Sequence, residues 1–319
     1  MSWLLLLLSA VSAGTMGYAI QRGATCMVAA LEEVVQKRRF GRVIALLEAA
    51  AIVAGGVALA AALHRLPMQP VNWTPAVTTV AGGVLLGLGA FIARACVFGA
   101  IAKLGCGHWA YLAVPPGFLA GCFVQRLLGT ERPTGTLDFA SPTLVWATAL
   151  LLPFGLLACW RLARVVAAAR SGMLADHVWS PHVATSIIGL TFVILLFSAG
   201  GWSYTEALSE AARGMTSMTA LRLLLFFCLL GGALLGGWTA RRLRAIRPTL
   251  PAVARCFIGG ALMGLGSVLI PGSNDGLILL GLPLLQPHAL VALASMAVTI
   301  TLALRWQVER PLVAQGKMA

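Results

Sequence analysis

Long apolar runs alternate with short polar breaks along this chain. A helix needs roughly 20 predominantly apolar residues to cross a bilayer. On that measure the runs predict helices at about 2–20, 43–63, 79–93, 110–126, 142–160, 181–199, 219–238, 253–270 and 286–304. The fold class expected is all-α integral membrane, with about nine transmembrane helices. The first run contains five consecutive leucines and ends in Ala10-Val11-Ser12-Ala13, as a signal peptide can. It lacks a basic start, so it reads as a first transmembrane helix.

Composition strengthens this picture. The chain is 59% hydrophobic and only 10% charged, too few charges to cover a water-facing surface. Its net charge of +13 would point to nucleic acid on a soluble protein. Here the basic residues sit between apolar runs, as in Lys37-Arg38-Arg39, Arg161/Arg164/Arg170 and Arg241-Arg242/Arg244/Arg247. That is the positive-inside pattern, and nucleic acid is not an expected partner. Lipid is. Threading the nine helices through these clusters puts the N-terminus outside and the C-terminus in the cytoplasm of a bacterial inner membrane. Arg126, Arg132 and Arg213 are the external exceptions. The seven cysteines form no CxxC pair, so neither a zinc site nor a disulfide framework is expected. Asp176, His177 and His182 lack a further ligand. The glycine runs carry no P-loop lysine and no strand context for a dinucleotide turn. No catalytic residue, cofactor or metal is expected, and the chain does not read as an enzyme.

Two glycine-rich stretches match: Gly82-Gly83-Val84-Leu85-Leu86-Gly87-Leu88-Gly89 and Gly259-Gly260-Ala261-Leu262-Met263-Gly264-Leu265-Gly266. Their offset, 259 minus 82, is 177, and it carries the first helix onto the sixth and the second onto the seventh. The charge topology makes the third helix run inward and the eighth outward, so two inverted repeats are expected. They divide the chain into 1–141 (N-terminal repeat), 142–170 (connecting helix and loop) and 171–319 (C-terminal repeat). Inverted repeats characterise transporters, whose sites lie where the halves meet. Each glycine-rich helix runs into a segment too short to span, at 94–108 and 271–283, and both read as short re-entrant helices. Broken backbone at membrane depth is tolerated where protein or water receives its polar groups.

Three pieces carry a family resemblance. They are Gly17-Tyr18-Ala19-Ile20-Gln21-Arg22-Gly23-Ala24-Thr25-Cys26, the stretch from Gly87 through Cys96-Val97-Phe98-Gly99 to Gly105, and Gly259–Gly266 with the turn at Pro271–Asp275. Together they resemble the YeeE/YedE family, which includes the TsuA-type thiosulfate transporters. The resemblance implies a pseudosymmetric pore with short helices dipping in from both sides. It also implies cysteine thiols along the path, here Cys26 and Cys96. The second half departs from that pattern, because the repeat carries Cys96 onto Ser273. A further echo, Arg213-Gly214-Met215-Thr216-Ser217-Met218 for Arg22–Met27, again has serine for cysteine.

The residues expected along the substrate path are Cys26, Cys96, Ser273, Asn274, Asp275, Arg94 and Lys103. A thiolate would repel an anion, so a neutral Cys96 thiol is the better fit. Asp275 caps the following short helix, binds a coupling proton or repels the wrong ion. Glu48 pairs with a nearby base or lies at the surface, and His108 sits at the interface beside Trp109. The activity expected is uptake of a small inorganic sulfur anion, thiosulfate first, with another sulfur anion or a selenium analogue also fitting. The other reading is a membrane sulfurtransferase that relays persulfide sulfur through Cys26 or Cys96 to a cytosolic TusA-like or rhodanese-like carrier.

Overall fold

The computed structural model describes residues 3–24, 26–64, 66, 71–127, 136, 141–172, 178–200, 202–212, 214 and 219–316. Asp176, His177, Arg132, Arg213 and residues 215–218 lie outside them.

The first half comprises α1 (Trp3–Gly23), a short α2 (Met27–Lys37), α3 (Gly41–Ala62), α4 (Val77–Ala93), a short α5 (Val97–Gly105) and α6 (Val114–Leu127), with a 3-10 turn (Trp109–Ala113) before α6. One turn, α7 (Pro142–Val145), leads into α8 (Ala147–Arg170). Then come α9 (Pro181–Ala199), a short α10 (Tyr204–Ala212), α11 (Thr219–Thr239) and α12 (Leu250–Leu269). A single turn, α13 (Asn274–Gly276), continues as a π-helix over Leu277–Gly281, and α14 (Pro287–Gly316) ends the fold.

Eight helical stretches among the described residues are long and apolar enough to cross a membrane. The ninth crossing expected, at 110–126, is a helix of 14 residues. With the 3-10 turn before it, the Trp109–Leu127 segment reaches roughly 30 Å, the depth of a hydrocarbon core. The chain is a multi-pass, all-α membrane protein.

The order long, short, long, long, short, long occurs on both sides of α8. An offset of 177 carries the start of α2, residue 27, to residue 204, where α10 starts, and the start of α5, residue 97, to residue 274, where α13 starts. The sequence reading placed α2 and α10 in loops; both are helices.

The centre of the fold is the crossing of α4 and α12. A Cβ built on Gly82 would lie 2.7 Å from the carbonyl oxygen of Gly266, and one on Gly89 would lie 2.5 Å from that of Gly259. The same holds in reverse, at 2.5 Å from Gly266 to Gly82 and 2.6 Å from Gly259 to Gly89. The start of α4 therefore meets the end of α12, and the two helices are antiparallel. Lipid tails are as apolar as leucine, so close backbone approach holds membrane helices together. The matched glycines supply that approach.

α8 lies at the periphery. Of its 24 residues only Ala147, Arg161 and Ala168 are buried, while Leu152, Leu156, Trp160 and Leu162 face outward, as lipid requires. Glu48 on α3 ties it down, pairing with Arg161 and, at 2.8 Å, with His182 Nδ1 on α9. This is the basic partnership expected for Glu48.

Candidate functional site

Both short helices of the first half start at a cysteine. Cys26 is the extended residue before α2, and Cys96 the extended residue before α5. Two residues ahead of each, Ala24 (φ 46°) and Arg94 (φ 56°) take the left-handed conformation that turns the chain. Pro271, also at positive φ, stands two residues ahead of Ser273. The three breaks share one local design.

The structure brings the two thiols together. The backbone N–H of Cys96 donates to Cys26 Sγ at 3.3 Å, and the N–H of Met27 donates to Cys96 Sγ at 3.3 Å. Each thiol thus accepts a hydrogen bond from the other break. A Cβ on Gly99 would sit 2.6 Å from Cys26 Sγ, so only glycine lets α5 approach it this closely. Both sulfurs are buried. The starts of α2 and α5 carry the positive ends of helix dipoles, which favour an anion.

On the other side, Ser273 Oγ and Thr205 Oγ1 both bond to Asp275 Oδ1 and to each other. Asp275 Oδ1 also accepts the N–H of Gly276 at 3.1 Å. All three side chains are buried. Asn274 is fully buried, and neither its side-chain nitrogen nor its oxygen has a partner. The two groups meet through Tyr204, whose hydroxyl donates to the carbonyl of Val97 at 2.9 Å.

Arg94 and Lys103 are not beside the thiols. They line a cavity of about 300 Å³ with His108, Trp109, Arg247, Thr249 and Arg255. Burial, and then the charge of Lys103, hold His108 below the usual imidazole range, so the positive charge here belongs to the arginines and lysine. A second cavity, of about 290 Å³, is lined by Trp202, Ser203, Glu206, Glu210, Arg222, Gly272 and His288, with Arg222 paired to Glu210. The basic cavity sits at the start of α12 and the acidic one past its end. They are separated by a helix of 20 residues, about 30 Å. A small gap of about 10 Å³ adjoins the acidic cavity, sharing Trp202 and Ser203 with it, and is lined also by Met16, Phe98, Tyr204, Leu229, Asp275 and Leu279. It has room for roughly one water.

Sequence reasoning missed Trp202, Ser203, Tyr204 and Thr205. The signal was present: the 177 offset carries Cys26 onto Ser203 and Val28 onto Thr205. Among the described residues no three of His, Cys, Asp and Glu gather as metal ligands.

A comparison with the curated proteins finds no match. A comparison with protein families matches residues 22–302 to the family described as Sulphur transport. That match runs from the residue four before Cys26 through the last turns of the α14 crossing, so this chain belongs to the sulphur transport (YeeE/YedE) family of membrane proteins.

Proposed function

We propose that this sulfur-related transporter is a permease of the bacterial inner membrane that takes up thiosulfate, and that it is not an enzyme. The observation behind this reading is the pair of cavities at opposite ends of α12, a basic one at its start and an acidic one past its end. Buried thiols stand at the starts of α2 and α5, and buried hydroxyl, amide and indole groups at residues 202–205 and 273–275. Thiosulfate has a soft terminal sulfur and three oxygens. The thiols of Cys26 and Cys96 suit the sulfur, and the Asn274 amide and Trp202 N–H suit the oxygens. The antiparallel α4–α12 crossing and the doubled element order support two inverted repeats that rock about that crossing. In this topology the basic cavity faces the cytoplasm, where it receives the anion, and the acidic cavity faces outward. The N-terminus is then outside and the C-terminus cytoplasmic.

A sulfurtransferase needs a thiol that a soluble carrier can reach, and here both sulfurs are buried within the helix breaks. A TusA-like or rhodanese-like carrier fits better as the acceptor of anion already delivered. The test is uptake into proteoliposomes holding the full chain, with radiolabelled thiosulfate, sulfite and selenite compared. Thiosulfate enters fastest on this reading. Thiosulfate entry no faster than into protein-free vesicles refutes it.

A further inference from the structure

Asp275 is the one buried carboxylate bordering the small gap beside the acidic cavity, and it has no ion-pair partner among the described residues. Its side-chain neighbours are two hydroxyls, and the backbone N–H groups of Gly276 and Thr205 donate to Oδ1 at 3.1 Å and Oδ2 at 3.5 Å. Ser273 Oγ, Thr205 Oγ1 and Asp275 Oδ1 are each bonded to the other two, which makes three contacts. A hydrogen bond needs one hydrogen, and the two hydroxyls carry only two. With Asp275 ionised, both hydroxyls donate to it and their own oxygens face each other with no hydrogen between. With one proton on Asp275, the carboxyl donates to one hydroxyl, that hydroxyl to the next, and the last back to Oδ1. The ring then closes.

The surroundings agree. Tyr204 on α10 lies within electrostatic reach of both Asp275 and Cys96, and neither Tyr204 nor Cys96 is a cation. α1 and α11 present Met16 and Leu229 to the same gap. The charged groups beyond are Glu206 on α10 and, in the acidic cavity, the Glu210–Arg222 pair, with His288 on α14. A second observation points to an anion in the same place. Trp202 borders both the gap and the acidic cavity, is 5% exposed, and its indole N–H has no partner. Asn274, next to Asp275, leaves its amide unpaired and fully buried. The Trp202 donor borders the same gap as a carboxyl that, if ionised, would repel the anion this donor suits.

We infer that Asp275 is a proton-binding site, and that each anion crosses with a proton carried on this carboxyl. The proton arrives from the acidic cavity, closes the Ser273–Thr205–Asp275 ring, removes the negative charge facing the path, and leaves towards the basic cavity with the anion. No covalent bond to the anion forms or breaks. The inference rests on the thiosulfate-permease reading.

The test uses the full chain in proteoliposomes, with membrane potential clamped at zero. Equal labelled thiosulfate is placed on both sides, and the side facing the acidic cavity is made one pH unit more acidic. One proton per anion drives accumulation towards about tenfold, because a pH unit is worth a factor of ten. Exchange of labelled for unlabelled thiosulfate at equal pH is measured on the same vesicles. In Asp275→Asn, measurable exchange with accumulation below twofold is expected. Wild-type exchange without accumulation overturns the proton site and leaves the permease reading standing, while no wild-type exchange at all overturns both. Accumulation that persists in Asp275→Asn, or exchange lost with it, also overturns the site. If Asp275→Asn does not fold, Thr205→Val, which opens the ring, is expected to show the ratio of accumulation to exchange reduced by half or more, with exchange lowered but still measurable. Full wild-type accumulation in it counts against the ring.

Discussion

Gly99→Ala adds one methyl group where α5 passes the thiol of Cys26. The new Cβ would stand 2.6 Å from Cys26 Sγ and 3.1 Å from the β-carbons of Cys26 and Ala95. Both neighbours are buried, so something must shift. Overpacking a core by a methyl costs about 1–3 kcal/mol. The atom with most to lose is Cys26 Sγ, which accepts the Cys96 N–H. Stranding that buried N–H costs a further 1–3 kcal/mol or so. Alanine returns roughly 1 kcal/mol through its better helix propensity. Clash therefore wins, with a net loss of about 1–5 kcal/mol. Gly155→Ala is the control. Nothing lies within 4 Å of its added Cβ on the lipid-facing α8, so only the propensity gain remains. The decisive variant is the double substitution Gly99→Ala with Cys26→Ala, which removes the sulfur that the methyl strikes. Thermal unfolding in detergent, followed by tryptophan fluorescence, gives a double-mutant cycle with an expected coupling of about 0.5–3 kcal/mol. Thiosulfate uptake by Gly99→Ala is expected to fall as well, because the methyl displaces the Cys26 thiol of the proposed path. A penalty equally large with and without Cys26 would refute the reasoning, as would a Gly99→Ala protein with wild-type Tm and uptake.

Cys96→Ala should lower uptake sharply and also lower Tm, since it takes the sulfur acceptor from the Met27 N–H, a loss worth about 1–3 kcal/mol; wild-type uptake in a well-expressed variant would remove Cys96 from the path. Ser273→Val takes a donor from the buried Asp275 ring and should weaken apparent thiosulfate affinity by an interaction worth about 1–3 kcal/mol. Ser273→Cys keeps a weaker donor of nearly the same size and should retain part of the uptake, all proteins being compared at one ionic strength; equal affinity in wild type and Ser273→Val would show that residue 273 does not matter to binding. Single cysteines introduced at residues 38 and 242 should label from the cytoplasmic face and one at residue 74 from the outer face, and labelling of 38 and 242 from opposite faces would end the inverted-repeat proposal.

Hydropathy was enough to mark α1, α3, α4, α9, α11, α12 and α14, because each presents a long apolar run to lipid or to like neighbours. It could not find α2 or α10. Glu32, Glu33, Gln36 and Lys37 on α2, and Glu206 and Glu210 on α10, give these helices the polarity of a loop. Only the residue before each of them is diagnostic, and Cys26 stood out through the resemblance while Ser203 did not. Cys96, Ser273, Asn274 and Asp275 were legible because a glycine-rich run ends just before them. Their bonds were not: Thr205 and Ser273 are 68 residues apart, and nothing local joins them. Arg94 was legible as a neighbour of Cys96 in sequence. Its left-handed turn and exposed side chain instead place it in the basic cavity.

The outlying α8 has a consequence in counting. Under the proposed topology the first half crosses the membrane an even number of times, through α1, α3, α4 and α6, while α2 and α5 dip in and return. Two such halves joined directly would enter from the same face. One additional crossing changes even to odd, and a helix that buries three of its 24 residues is the least that can supply it. Its contribution is parity rather than packing, so its sequence is free to vary wherever lipid is its only neighbour, and its presence is not.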